Sequence, residues 1–238
     1  MTLESVQSEG LHFAFAVEGV YAAVIAGASG STIEPMLGGK LLYAGELDAA
    51  GRVPMVAGNV AGAASLGASA DSGAGKQAVR DGVADFLVNS LDEGLRILKN
   101  EVRKRETVAV CIAGDPGAVE VEMRDRGVVP DLFAPVTAVA LPPGFAMVQW
   151  RVATAPTRWL PRVDAMALEC LEKAGGAEIG PARRWLRLAP RYLGRMAQGF
   201  RVLRCEARVA DEFVGRVRAA SASGEIGVEV EIGLSGES

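Results

Sequence analysis

At 238 residues, half of them hydrophobic and 23% charged, the chain can bury one large core or one domain with an appended part, and its formal net charge of −4 gives no general attraction for a polyanion. Aromatics make up only 5%, which argues against stacking platforms for single-stranded nucleic acid. Three cysteines, Cys111, Cys170 and Cys205, match no zinc spacing, and the single histidine, His12, leaves no histidine cluster for a metal.

The charge is unevenly spread: residues 1–150 carry 11 Lys/Arg against 18 Asp/Glu, and residues 151–238 carry 14 against 11. Between Arg183 and Arg218 stand ten arginines and three acids, either a phosphate-seeking surface or the solvated face of helices. The N-terminus lacks a basic region before a long apolar core, and no run of about 18 apolar residues is free of charge. These features predict neither a signal peptide nor a membrane span, and a reducing, cytoplasmic setting.

In chain order, residues 20–26 read as a strand. Ser31 or Thr32, with Glu34 and Pro35, reads as the start of a helix over residues 33–49. A second strand is predicted over residues 52–57, turning at Gly58-Asn59-Val60 into a short small-residue helix over residues 61–70. The N–H groups of that helix start would receive a phosphate. Residues 70–77 resemble a phosphate-binding loop without its first glycine or its magnesium-binding hydroxyl, which argues against an ATPase.

Residues 86–88 form a third strand candidate, and Asn89 or Ser90 caps a helix with Leu91, Leu95, Leu98 and Val102 on one face. Residues 107–113 give the clearest strand and end in Gly114-Asp115-Pro116-Gly117, where Asp115 and Pro116 open a helix to about Arg126. Residues 128–133 return to the sheet, completing a βαβ rhythm. Pro142-Pro143-Gly144 marks a turn, and residues 147–152 a short strand or linker. Two apolar stripes follow, Val163, Met166, Ala167, Cys170 and Leu171, then Trp185, Leu188, Tyr192 and Met196, and a charged helix spans residues 208–220. After Gly224 the alternation of Ile226, Val228, Val230 and Ile232 with glutamates reads as a strand or a free end.

The expected fold is therefore α/β, a Rossmann-like, mostly parallel sheet with an appended C-terminal helical region: a core over residues 11–145, a mainly helical extension over 146–220, and an acidic tail or short edge strand over 221–238. Two small-residue crossings, at residues 58–62 and 114–117, are expected to meet at one edge of the sheet.

At those crossings the chain resembles the nucleotide-binding core of urocanase, urocanate hydratase. The resemblance runs over residues 18–145 through Gly58-Asn-Val-Ala-Gly-Ala, Leu91-Asp-Glu-Gly-Leu, Gly114-Asp-Pro-Gly-Ala-Val-Glu, Arg126-Gly-Val-Val-Pro-Asp and Leu141-Pro-Pro-Gly-Phe. It implies a tightly bound NAD acting as an electrophile in the hydration of urocanate or a related imidazole compound, with cofactor contacts at Gly58, Asn59, Val60, Gly62, Gly114, Asp115, Gly117 and Thr137. Cys205 resembles a family cysteine near the nicotinamide. The family's Thr-Ser-Ala-His-Asp-Pro-like stretch is replaced by Thr137-Ala-Val-Ala, and its acid-base region has no counterpart, so no catalytic residue is assigned. Three functions follow: an NAD-binding, urocanase-like hydratase; a non-catalytic structural or oligomeric homologue without cofactor; and an arginine-rich nucleic-acid binder, against which the composition argues. A homo-oligomer is expected in the first two.

Overall fold

The computed structural model describes residues 3–27, 37–176 and 179–235. The chain runs α1 (Leu3–Gly27), β1 (Leu41–Glu46), α2 (Ala49–Ala61), β2 (Ala64–Ser69), α3 (Ser72–Arg80), β3 (Phe86–Val88), α4 (Leu91–Lys104), β4 (Val108–Ala113), α5 (Pro116–Asp125) and β5 (Leu132–Phe133). It continues as β6 (Phe145–Arg151), α6 (Pro156–Ala174), α7 (Ile179–Leu193), a 3-10 turn (Gly194–Ala197), β7 (Phe200–Glu206), α8 (Ala207–Ala222) and β8 (Glu231–Ser235). Contacts divide it into two units, one of residues 1–18, 140–190 and 196–238, the other of residues 19–139 and 191–195.

The second unit holds a five-stranded sheet in the order β3-β4-β2-β1-β5, with every pairing parallel. One face carries Tyr43, Leu66, Val110 and Ile112 against Leu91, Leu95 and Leu98 of α4 and Val119 and Met123 of α5. Alternate strand residues face the other way, because successive side chains of a strand point to opposite faces. There Gly58 of α2 lies against Leu42 and Ser65, and Gly75 of α3 against Leu87 and Cys111. Helices thus cover both faces, as a parallel sheet requires.

Several elements differ from the sequence reading. Residues 20–26 belong to α1 and not to a strand. The part of the expected 33–49 helix that is described holds the turn at residues 37–39 and then β1; residues 33–36 lie outside the described residues. The expected strand at 52–57 is the body of α2, and the expected helix at 61–70 is β2. All six residues of β2 are buried, and α2 is buried without a break from Pro54 through Ala61. Neither the buried stretch of α2 from Pro54 through Ala61 nor β2 carries a charged residue to mark its period.

Glu9–Gly27 of α1 is the one stretch among the described residues long and apolar enough to cross a membrane. Its Glu18, only 4% exposed, accepts both oxygens' worth of hydrogen bonding from Arg204 Nε at 3.0 Å, and Ala14, Val17, Val20, Tyr21 and Val24 are buried, as in a helix packed within protein.

The first unit contains an antiparallel sheet in the order β7-β6-β8. The stretch expected to be mainly helical therefore supplies two strands as well as α6, α7 and α8, and residues 231–235 form the edge strand β8. Trp150 packs against Phe213 at 4.9 Å between ring centroids. Its Nε1 donates to Asp164 at 3.0 Å, and Arg201 Nε donates to the other oxygen at 3.1 Å. Burial outweighs both donors and pushes the Asp164 carboxyl above the usual range.

Glycine is obligatory where α2 starts: a Cβ on Gly51 would lie 1.7 Å from the Glu46 carbonyl oxygen. Gly51→Ala is expected to destabilise the protein by about 3 kcal/mol or more. Gly215→Ala, on the open face of α8 with nothing within 4 Å, should be neutral or stabilising by up to about 1 kcal/mol. Urea unfolding of the two variants checks the contrast; equal midpoints would refute the close approach at Gly51.

Candidate functional site at the carboxyl edge of the parallel sheet

Because the strands are parallel, all the loops that leave them lie at one edge. The loops after β1 and β2 lead to α2 and α3 on one face, and those after β3 and β4 to α4 and α5 on the other. The neighbouring strands β2 and β4 therefore send their chains to opposite faces, and this switch point is where open α/β sheets form a ligand crevice. Gly114 N donates to Ser69 O at 3.0 Å across it, so the two loops meet in a backbone hydrogen bond.

The first strand-to-helix turn runs Gly45-Glu46-Leu47-Asp48-Ala49-Ala50-Gly51. A dinucleotide turn needs one glycine for the tight bend, a second so that a pyrophosphate can approach the backbone, and a third for close packing of helix on strand. Gly45, at φ +74°, makes the bend, and Gly51 makes the close packing. Midway between them stands Asp48. Its Oδ1 accepts from Ala50 N at 2.9 Å and Gly51 N at 2.8 Å, so the chain's own carboxylate takes the donors that a helix start offers to a phosphate.

The same device recurs along the edge. Asp71 caps α3 through Gly73 N at 2.7 Å, Ser90 caps α4 through Glu93 N at 3.3 Å, and Asp115 caps α5 through Ala118 N at 2.8 Å. With Glu46 and Glu120 exposed nearby, the edge is anionic. Three of these four helix starts hold a carboxylate, and a pyrophosphate would meet like charge at each of them.

The residues expected to hold a cofactor are split between the sheet's two ends. Gly58, Asn59 and Val60 lie in the buried last turns of α2, and Gly62 is its left-handed cap at φ 102°. Gly62 N donates to Gly58 O and Asn59 O, and Asn59 Nδ2 donates to the Val83 carbonyl. A helix C-terminus presents carbonyls, and this one precedes β2, at the amino edge. Across a six-residue strand it stands about 20 Å from the opposite edge. The expected meeting of residues 58–62 with residues 114–117 is therefore corrected.

Gly114, Asp115 and Gly117 do lie at the carboxyl edge. A Cβ on Gly117 would come 3.2 Å from Asp115 Oδ1, so the glycine makes room for the cap. Thr137 is exposed in the segment beyond β5, where Val139 N donates to Gly19 O. Asp131, at the end of the closest family phrase, has a structural post. It accepts from Lys40 Nζ at 2.8 Å and Leu41 N at 2.9 Å, tying the β5 approach to β1. Burial raises its pKa, and the donors outweigh that to hold the carboxyl below the usual range. Cys205 is buried on β7 in the other unit. Cys111 is buried in β4, and burial pushes its thiol up to about 11.

Sequence reasoning missed Gly45, Asp48, Gly51 and Asp71. The first three were readable as two glycines flanking an aspartate at equal spacing. Asp71, two residues past the end of β2, stands where such folds hold ribose hydroxyls.

Strand order, helical cover on both faces and the switch point define a Rossmann-like α/β domain. A family model described as the urocanase Rossmann-like domain matches residues 16–157, 142 of the chain's 238. The chain belongs to the urocanase family, whose members use NAD. In this chain the first turn does not fit the pyrophosphate of that cofactor, since Asp48 already holds its donors.

Tyr43, 2% exposed, donates its hydroxyl to the Pro116 carbonyl at 3.1 Å beneath this edge. Burial first, then the charges of Glu120 and Asp115, push its pKa up to about 12. Folding thus favours the neutral phenol, and that contribution is complete below the unfolded value near 10 and lost as pH rises through about 12. Phenolate absorbance is expected to show a late-ionising step to which Tyr43 contributes, and Tyr43→Phe to lower its amplitude; a late step of unchanged amplitude in the variant would refute the assignment.

Proposed function

We propose that this chain is a non-catalytic member of the urocanase family, a structural or oligomeric homologue that keeps the Rossmann-like scaffold and works without NAD. The observation that carries this reading is the Asp48 carboxylate on the Ala50 and Gly51 amides. A bound pyrophosphate would have to displace it and then sit beside its charge. Tyr43, hydrogen-bonded and held neutral, is a poor proton carrier at ordinary pH, and the only histidine in the sequence, His12, belongs to the other unit. Self-association rests on the exposed apolar residues Val129, Phe133 and Val139 along the β5 segment, beside an open sheet edge.

The NAD-dependent hydratase is the second reading, and Asp71 is the observation that favours it. Nucleic-acid binding has less support. Among the arginines of residues 183–218, Arg183 pairs with Glu172, Arg191 with Asp85, Arg201 with Asp164, Arg204 with Glu18, Arg208 with Glu206 and Arg216 with Glu169.

Native mass measurement and NAD titration separate the readings. The purified chain is expected to carry no dinucleotide, to bind none up to about 1 mM, and to leave urocanate absorbance unchanged. Asp48→Gly removes the resident carboxylate at the cost of only a few tenths of a kcal/mol in capping and is expected to bind NAD measurably. Co-purified NAD in the unaltered chain, or urocanate turnover by it, would overturn the proposal in favour of the hydratase.

A further inference from the structure

The antiparallel unit contains a cavity of about 390 Å³, lined by Leu11, Gln149, Arg151, Phe200, Glu231 and Gly233 among others. That volume falls in the range of small-molecule pockets, about 300–1,000 Å³. Three features of its lining are unusual for mere packing. The first is an unused acceptor: Gln149 Oε1 is buried and has no hydrogen-bond partner among the described residues, a cost of the kind proteins retain for a purpose. Since the terminal amide torsion has two broad wells, a half-turn can present either the oxygen or the nitrogen of this carboxamide.

The second feature is a loosely held ion pair. Arg151 and Glu231 face each other across β6 and β8, yet their closest approach is 3.8 Å, with 39% and 59% of their side chains exposed. At that separation both keep most of their hydrogen-bonding capacity. The third is Gly233, directly opposite Gln149. A Cβ there would come 2.5 Å from Gln149 Nε2, so any other residue would displace the carboxamide.

We propose that this cavity binds a small zwitterion with an apolar arm, of the chemical class of a free aliphatic α-amino acid. Arg151 takes the carboxylate through its free N–H donors. Glu231 and the Gln149 carbonyl take the ammonium group. Leu11 and Phe200 cover the apolar arm. An anion alone would meet Glu231 and a cation alone would meet Arg151, so the mixed charge of the lining selects a ligand with both. This site is independent of the parallel sheet and of whether NAD binds there.

L-leucine is the probe, titrated into the full chain by calorimetry and by saturation-transfer NMR. The 4-methylpentanoate anion, lacking the ammonium, and 3-methylbutylamine, lacking the carboxylate, serve as comparisons. Leucine is expected to bind about tenfold or more tightly than either. Arg151→Gln and Gln149→Met should each weaken leucine by a similar factor. Gln149→Met should also raise the melting temperature of the ligand-free protein, because it removes the buried orphan acceptor, and this shows that the variant folds. The proposal is overturned if leucine fails to bind at about 10 mM, if either one-charge analogue matches it, or if both variants bind it as the parent does.

Discussion

A helix that begins at the carboxyl end of a parallel strand has unsatisfied backbone donors, which a side chain, water or a ligand must meet and which favour negative charge. In this chain Asp48 meets them. The turn between β1 and α2 keeps the two glycines that the geometry demands, one for its left-handed bend and one whose Cβ would strike the Glu46 carbonyl. The third position is free of such a constraint, and there the chain carries a carboxylate in place of space for a ligand. The backbone of a dinucleotide-binding turn is thus retained while its anion is supplied internally.

On the reading proposed above, fold and activity separate at that residue. The family match places the chain in the urocanase family, and the parallel sheet with helices on both faces is the Rossmann-like scaffold of the matched domain. None of them depends on whether a phosphate can reach α2, because the core that stabilises the sheet lies in Leu66, Val110, Ile112 and their partners on α4 and α5, away from the loops. A scaffold can therefore keep its stability while its ligand edge changes. The antiparallel unit, discontinuous in sequence, has its own core around Trp150 and Phe213 and its own cavity.

The two helices of the stretch from β3 to α5 were legible in the sequence because each exposes a polar face, and the buried strand β4 because β-branched residues fill it between turn signals. Leu91, Leu95 and Leu98 recur on one face of α4 between charged residues, Ser90 caps it, and Pro116 follows the Asp115 cap of α5. Residues 20–70 were read with helix and strand exchanged. Pro54 inside α2 argues locally against a helix, and the small buried residues of β2 argue locally for one. Tertiary burial overrode both signals. That exchange moved the expected phosphate turn from the start of α2 to its end, from Asp48 to Gly62, and so to the wrong edge of the sheet. Gly114, Asp115 and Gly117 came out at the carboxyl edge because β4 and α5 were placed correctly. The strand β7 was missed because its charged residues, Arg201 and Arg204, pair inward with Asp164 and Glu18, which nothing local in the sequence announces.

The most direct measurement is the pair of backbone amide resonances of Ala50 and Gly51, followed by two-dimensional NMR during NAD addition. With Asp48 as the resident anion, both resonances should stay in place up to about 1 mM cofactor and should move in the Asp48→Gly chain. Saturable shifts of both amides in the unaltered chain would contradict the internal-anion reading, because they would show a phosphate reaching donors that the carboxylate is held to occupy.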